Sequence, residues 1–121
     1  MKLEGIKVLD LSMCLPGPLL TQMMADHGAE VIKLETVGEG EPNRHIGLQR
    51  DGVSVFFANT HRGKKSLTLN LKSEEGHEIF MKLAEEADVI IEAFPVPESP
   101  SGSRTTNRRC RASLAPTCSP A

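Results

Sequence analysis

The residues best suited to chemistry in this chain are cations placed beside loops and helix starts. Lys72 stands between an alternating run, Ser66 to Leu71, and a helix opened by Ser73. There an ammonium and free backbone N–H groups can both face a phosphate; the competing reading is a solvated lysine at a helix start. Arg62-Gly63-Lys64-Lys65 is basic and loop-like. It can steer an anionic nucleotide, but most charge runs are solvated faces, and that is the reading taken for each of its residues. Arg44 follows a Gly-rich turn, where it either neutralises a carboxylate or phosphate or pins its own loop. Asp10, at a strand end, reads as structural, accepting from nearby backbone donors. Cys14 lies beside Pro16 with no His placed by any motif, so no nucleophilic thiol is expected. His27, His45, His61 and His77 lack a ligand spacing, and the three Cys at 14, 110 and 118 form neither a metal spacing nor a disulfide framework. No metal site is expected.

These side chains need a frame, and the chain carries the pattern of one as far as Phe94. Ile6 to Leu11 is a short apolar run of buried-strand type. Gly17-Pro18 punctuates, and Leu19, Leu20, Met23 and Met24 recur at helical spacing until Gly28 stops the helix. Glu30 to Leu34 predicts a second strand, and a Gly-rich loop spans Gly38 to Gly47. Val53 to Phe57 is either a short helix or an irregular buried segment. Ser66 to Leu71 alternates polar and apolar residues as a strand does. Ser73 caps a helix with Glu74 and Glu75 in its first turn and a buried stripe of Ile79, Phe80, Leu83 and Ala84. Asp88 to Glu92 predicts a fourth strand. Strands alternating with helices imply an α/β fold, a Rossmann-like parallel sheet with flanking helices, incomplete at this length.

Composition narrows the classes further. A length of 121 residues suits one small domain, and a net charge of −2 argues against a general nucleic-acid or membrane-surface binder. No apolar run approaches the ~20 residues of a membrane span, the N-terminus enters a strand-like run at once, and a cytoplasmic, reduced protein is expected. After Phe94 the texture changes. Five of the eight prolines and the arginines at 104, 108, 109 and 111 fall there, and apolar periodicity ends. Such a segment buries too little to offset its ordering entropy, so 95–121 is expected to be a disordered tail.

Several blocks in fixed order carry a resemblance. They are Leu3-Glu4-Gly5-Ile6-Lys7-Val8-Leu9-Asp10-Leu11-Ser12, Pro16-Gly17-Pro18, the run from Gln22 to Glu35, Gly40-Glu41-Pro42-Asn43-Arg44, Asn59 to Lys72, and Ala87 to Phe94. Together they resemble the N-terminal part of family III CoA-transferases, which include formyl-CoA transferase, carnitine and bile-acid CoA-transferases and the related α-methylacyl-CoA racemase. The resemblance covers residues 1–94. It implies an enzyme that moves CoA between an acyl-CoA and a small carboxylic acid, with an Asp carboxylate attacking the thioester through covalent intermediates. That Asp is expected beyond the end of this chain, so no catalytic residue is assigned within it. Interlocked homodimers are likewise implied, in which each N-terminal sheet is completed by its own distant C-terminal segment.

By matching positions, the resemblance places CoA contacts at Leu15 and Pro16, Thr36, Leu69, Asn70, Leu71 and Lys72, and Ala93 and Phe94. Leu69 and Asn70 would give wall and backbone contacts, with a buried strand residue as the alternative for Leu69. Phe94 either lies against the adenine ring or packs at a strand end. Thr36 departs from an Arg found in some members, and Ala93 from a commoner Asn, each removing a polar contact. Arg44 also matches a frequent family position. A racemase would use the same CoA-binding half. A dehydrogenase-type or non-enzymatic nucleotide-binding α/β domain is disfavoured because Leu15-Pro16-Gly17-Pro18 stands where Gly-x-Gly-x-x-Gly would follow the first strand. A small interaction protein whose basic tail binds RNA lacks interleaved aromatics.

The family continues after Glu-x-Phe with Arg-Pro-Gly-Val. With G/C-rich third codon positions, reading Pro95 to Ser103 from the third base of the Pro95 codon yields Arg-Pro-Gly-Val-Ala-Glu-Arg-Leu. The tail is therefore read as a frameshifted segment, by mutation or sequencing error.

Overall fold

A computed structural model describes residues 1–92. In chain order they form β1 (Lys7–Asp10), α1 (Pro16–Asp26), β2 (Glu30–Glu35), a 3-10 turn (Pro42–Arg44), β3 (Gln49–Arg50), β4 (Val53–Ser54), α2 (Val55–His61), β5 (Lys65–Thr68), α3 (Glu74–Glu86) and β6 (Val89–Ile91). Four strands make one parallel sheet in the order β5-β2-β1-β6, with Lys7 opposite Glu30, Val8 opposite Val89 and Ile32 opposite Lys65. Counting only these strands along the chain, the order is 3-2-1-4, the beginning of a doubly wound sheet. Its direction of winding reverses between β1 and β6, and ligands of such sheets bind beyond the strands' carboxyl ends.

The period of two along each strand divides the core. Val8 and Val31 meet Ala29, Met24 and Ala25 on one face, while Leu9 and Leu34 meet Phe80, Leu83 and Ala84 on the other. The helices that cover these faces are held by specific devices. Pro16 opens α1 where a missing N–H costs nothing. Gly17 is needed there because a Cβ would collide with Ser12. Gly28, at φ +99°, closes α1 by donating to Ala25 O at 2.9 Å. Ser73 caps α3 by accepting from Gly76 N at 3.1 Å.

Several expectations need correction. The alternating strand ends at Thr68, because Asn70 Oδ1 accepts from Lys72 N at 3.1 Å and folds 70–72 into a turn. Ile79 is 45% exposed and leaves the buried stripe of α3 to Phe80, Leu83 and Ala84. Val53 to Phe57 resolves into the helical alternative, with Ser54 capping Phe57 N, but the helix runs on to His61. Before it stands a hairpin whose Asp51-Gly52 turn has positive φ at both residues, a two-residue signal the sequence reading passed over. Arg62 to Lys65 is not a solvated face throughout. Arg62 pairs with Asp26 at 2.7 Å and Lys65 with Glu30 at 2.6 Å, and the Lys64 side chain is buried against Asp10. Ala93, Phe94 and the 95–121 tail lie outside the described residues.

Candidate functional site

Beyond the carboxyl ends of β2 and β5 lies a cleft of about 500 Å³, a size that suits an extended small molecule. Leu11, Met13, Leu34, Val37, Leu69 and Leu71 give it apolar walls. Thr36, Asn70 and Lys72 add polar points, so five of the residues singled out in the sequence share one cleft. Leu15, 47% exposed, and Pro16 sit at the start of α1 and are not among its lining residues.

The turn around Lys72 is more committed than its sequence suggests. Lys72 N donates to Asn70 Oδ1, Ser73 N to Asn70 O at 3.2 Å, and Gly76 N to Ser73 Oγ. Glu74 and Glu75 follow in the first turn of α3, and both carry acidic side chains. The expected nest of backbone donors is thus largely used up, and the Lys72 ammonium is what the turn offers an anion. Asn70 keeps its amide NH2 available, since only its oxygens are engaged among the described residues. Gly76 makes this arrangement possible, because any Cβ there would collide with the Asn70 carbonyl. The sequence reading missed Gly76; a lone glycine in the first turn of an otherwise good helix was its only signal.

Beneath the cleft floor, the α1-facing side of the sheet changes from apolar to ionic toward the carboxyl ends. Asp10, Lys33 and Glu35 follow Val8 and Val31 at two-residue steps, and all are buried. Lys33 Nζ lies 3.1 Å from Glu41 Oε2 and 3.6 Å from Asp10 Oδ1, and Lys64 Nζ lies 3.1 Å from Asp10 Oδ2. Two cations and two anions close this cluster. Burial would raise the Asp10 carboxyl, but the Ser12 and Thr21 hydroxyls and both lysines outweigh it and hold it below its ordinary value. Its structural reading stands, with side chains as well as backbone supplying the donors. Arg44 grips Glu35 through two hydrogen bonds of 2.8 and 2.7 Å while stacking over Phe57. Against the opposing cost of burial, that grip, Ser66 and the Glu41 amide bring Glu35 down to about 2. Arg44 therefore neutralises a carboxylate of its own chain and pins its loop, and is not spare for a ligand. Glu41 and Met13 both line the cleft and were not singled out in the sequence; nothing local marks either.

Comparison with known proteins fits this geometry. The family described as CoA-transferase family III matches residues 3–112, past the Phe94 limit of the resemblance read from motifs. An acyl-CoA transferase of Fusarium pseudograminearum is 42% identical, with 76% of this chain and 22% of the relative aligned. Formyl-CoA:oxalate CoA-transferase of Escherichia coli is 43% identical over 93 residues, with the same shares. A solved CaiB/BaiF family protein from Brucella suis superposes with a TM-score of 0.69 at 40% identity, covering 75% of this chain and 25% of that one. A Mycobacterium tuberculosis structure, crystallised as an Asp-to-Ala variant, gives 0.70 at 42% identity, covering 76% and 25%. The chain thus spans about a quarter of the length of the relatives it matches. With a parallel 3-2-1-4 sheet, a cleft at its carboxyl edge and a family match over nearly all its length, the chain belongs to CoA-transferase family III.

Proposed function

We propose that this chain supplies part of the CoA-holding half of an enzyme that moves CoA between an acyl-CoA and a small carboxylic acid. The observation that supports it best is the joint placement of Thr36, Leu69, Asn70, Leu71 and Lys72 around one cleft. The apolar walls suit the uncharged arm of the carrier, the Asn70 amide can meet a polar group on that arm, and Lys72 can meet phosphate. Ala93 and Phe94 belong to the same proposed site, as do Leu15 and Pro16 at the start of α1. The carboxylate nucleophile is proposed to lie outside this chain, so that the fragment holds CoA without turning it over. Interlocked dimers and a cytoplasmic setting belong to the same reading.

The test is calorimetric titration of the 121-residue chain with CoA. Binding is expected, and Lys72→Gln should weaken it about tenfold, the loss of one charge-assisted contact. A folded chain that takes up no CoA overturns the reading; binding indifferent to Lys72 moves the phosphate elsewhere. The frameshift reading of 95–121 is decided by the gene's own third codon bases.

A further inference from the structure

One wall of the cleft belongs to no regular element. Leu11 to Leu15 connects β1 to α1 without helix or strand, yet Met13 lines the cleft and Cys14 holds φ at +66°, a left-handed conformation that non-glycine residues rarely adopt. Such a residue persists only where its surroundings over-determine it. Here they do, from one distant loop. Glu41 Oε1 accepts from Cys14 N at 3.1 Å, and Asn43 Nδ2 donates to Cys14 O, so both sides of the strained residue are held by the segment 41–43. Two residues earlier, Ser12 N donates to Asp10 Oδ1 at 3.0 Å and Lys33 Nζ donates to Ser12 O. Glu41 and Asn43 are almost wholly buried, at 2% and 0% exposure. The Asn43 Oδ1 atom has no partner among the described residues, so the side chain is retained at a cost, and among those residues its hydrogen bond goes to Cys14.

We propose that Glu41 and Asn43 are positioning residues: they clamp Cys14 in its left-handed conformation and thereby set the Met13 wall of the cleft for the thioester carrier. This rests on the reading of the cleft as a CoA site. Glu41 has two duties, since its other oxygen meets Lys33. Asn43 has only the clamp, and its replacement isolates the effect.

The experiment uses the full chain and three variants, read by CoA titration and by hydrogen exchange of the Cys14 amide in the absence of ligand. Asn43→Ala should accelerate exchange at Cys14 and weaken CoA binding about tenfold, with little change in melting temperature. Adding Cys14→Gly should recover affinity to within about threefold, because glycine adopts positive φ without strain. Glu41→Gln keeps an oxygen for the Cys14 amide but loses the charge facing Lys33, and so should lower melting temperature more than affinity. Unchanged exchange in Asn43→Ala, unchanged affinity, or a double variant that binds no better than Asn43→Ala overturns the clamp. Failure of the unaltered chain to bind CoA instead overturns the underlying reading of the cleft, and the clamp's proposed purpose with it.

Discussion

The ammonium groups of Lys33 and Lys64 meet the carboxylates of Asp10 and Glu41 in the interior, and removing any one of the four groups strands a charge. Breaking a buried pair in this way costs about 3–5 kcal/mol. His61 sits against the same cluster, stacked on Phe57 at 4.4 Å between centroids, with Nε2 buried and partnerless among the described residues. Burial first, and the Lys64 charge second, push its imidazole from 6.5 down to about 4, against the opposing pull of Glu41 and Asp10. The folded chain therefore refuses a proton that the unfolded chain accepts, and stability falls as pH drops from 6.5 toward about 4. Glu35 acts lower down: held at about 2 against an ordinary 4.5, it contributes stability that is present above 4.5 and lost toward about 2. Urea midpoints measured from pH 7 to 3 should show both windows, each worth of order 2 kcal/mol after discounting for solvent screening. His61→Phe should flatten the upper window and leave the lower one; a variant retaining the full slope above pH 4.5 would rule the imidazole out. None of these partnerships could be read locally. Lys33 and Glu35 alternate with apolar residues as solvent-facing positions do, and Lys64 stands in a basic run, but their partners lie up to 54 residues away.

Element boundaries were readable where the signal was local and lost where a turn depended on contacts. Gly28 and Ser73 mark helix ends through their own backbone needs, and the structure uses both as the sequence suggests. Strand β5 stops early because Asn70 bonds forward to Lys72, a choice the alternating pattern of Ser66 to Leu71 hides. Gly76 is the element-level test of this turn. Elsewhere in a helix, Gly→Ala stabilises by about 1 kcal/mol. At Gly76 the sign should reverse, because the new Cβ meets the Asn70 backbone carbonyl, which cannot swing aside as a side chain can. Gly76→Ala should destabilise the chain by about 2 kcal/mol, as in other overpacked positions, and, under the proposed CoA-holding function, weaken CoA binding by displacing Asn70 and Lys72. Thermal melting beside an Ala substitution at exposed Glu78 gives the comparison; equal or greater stability for Gly76→Ala would show that the 70–72 turn is not braced by α3.

The orientation of α1 concerns the molecule as a whole. Its apolar residues follow helical spacing as the sequence predicts, but Leu19, Leu20 and Met23 are 42–52% exposed, while Thr21 and Gln22 are buried. Polar residues face inward because Thr21 donates to the buried Asp10 carboxylate, and the rotation that satisfies this bond turns leucines outward. With Leu15 at the helix start, also 47% exposed, they form a contiguous stripe of the kind that marks an interface. The sheet adds to the demand, since β5 and β6 are both edges with unpaired backbone groups on one side among the described residues. None of the described residues covers these surfaces, and the 121-residue chain should self-associate. Sedimentation velocity at micromolar concentration is expected to show oligomers and poor solubility. Leu20→Glu with Met23→Glu should shift the distribution toward monomer with little change in melting temperature, since neither side chain belongs to the core. A soluble, monomeric, cooperatively melting chain would mean that α1 needs no cover, and that the outward leucines serve only the helix itself.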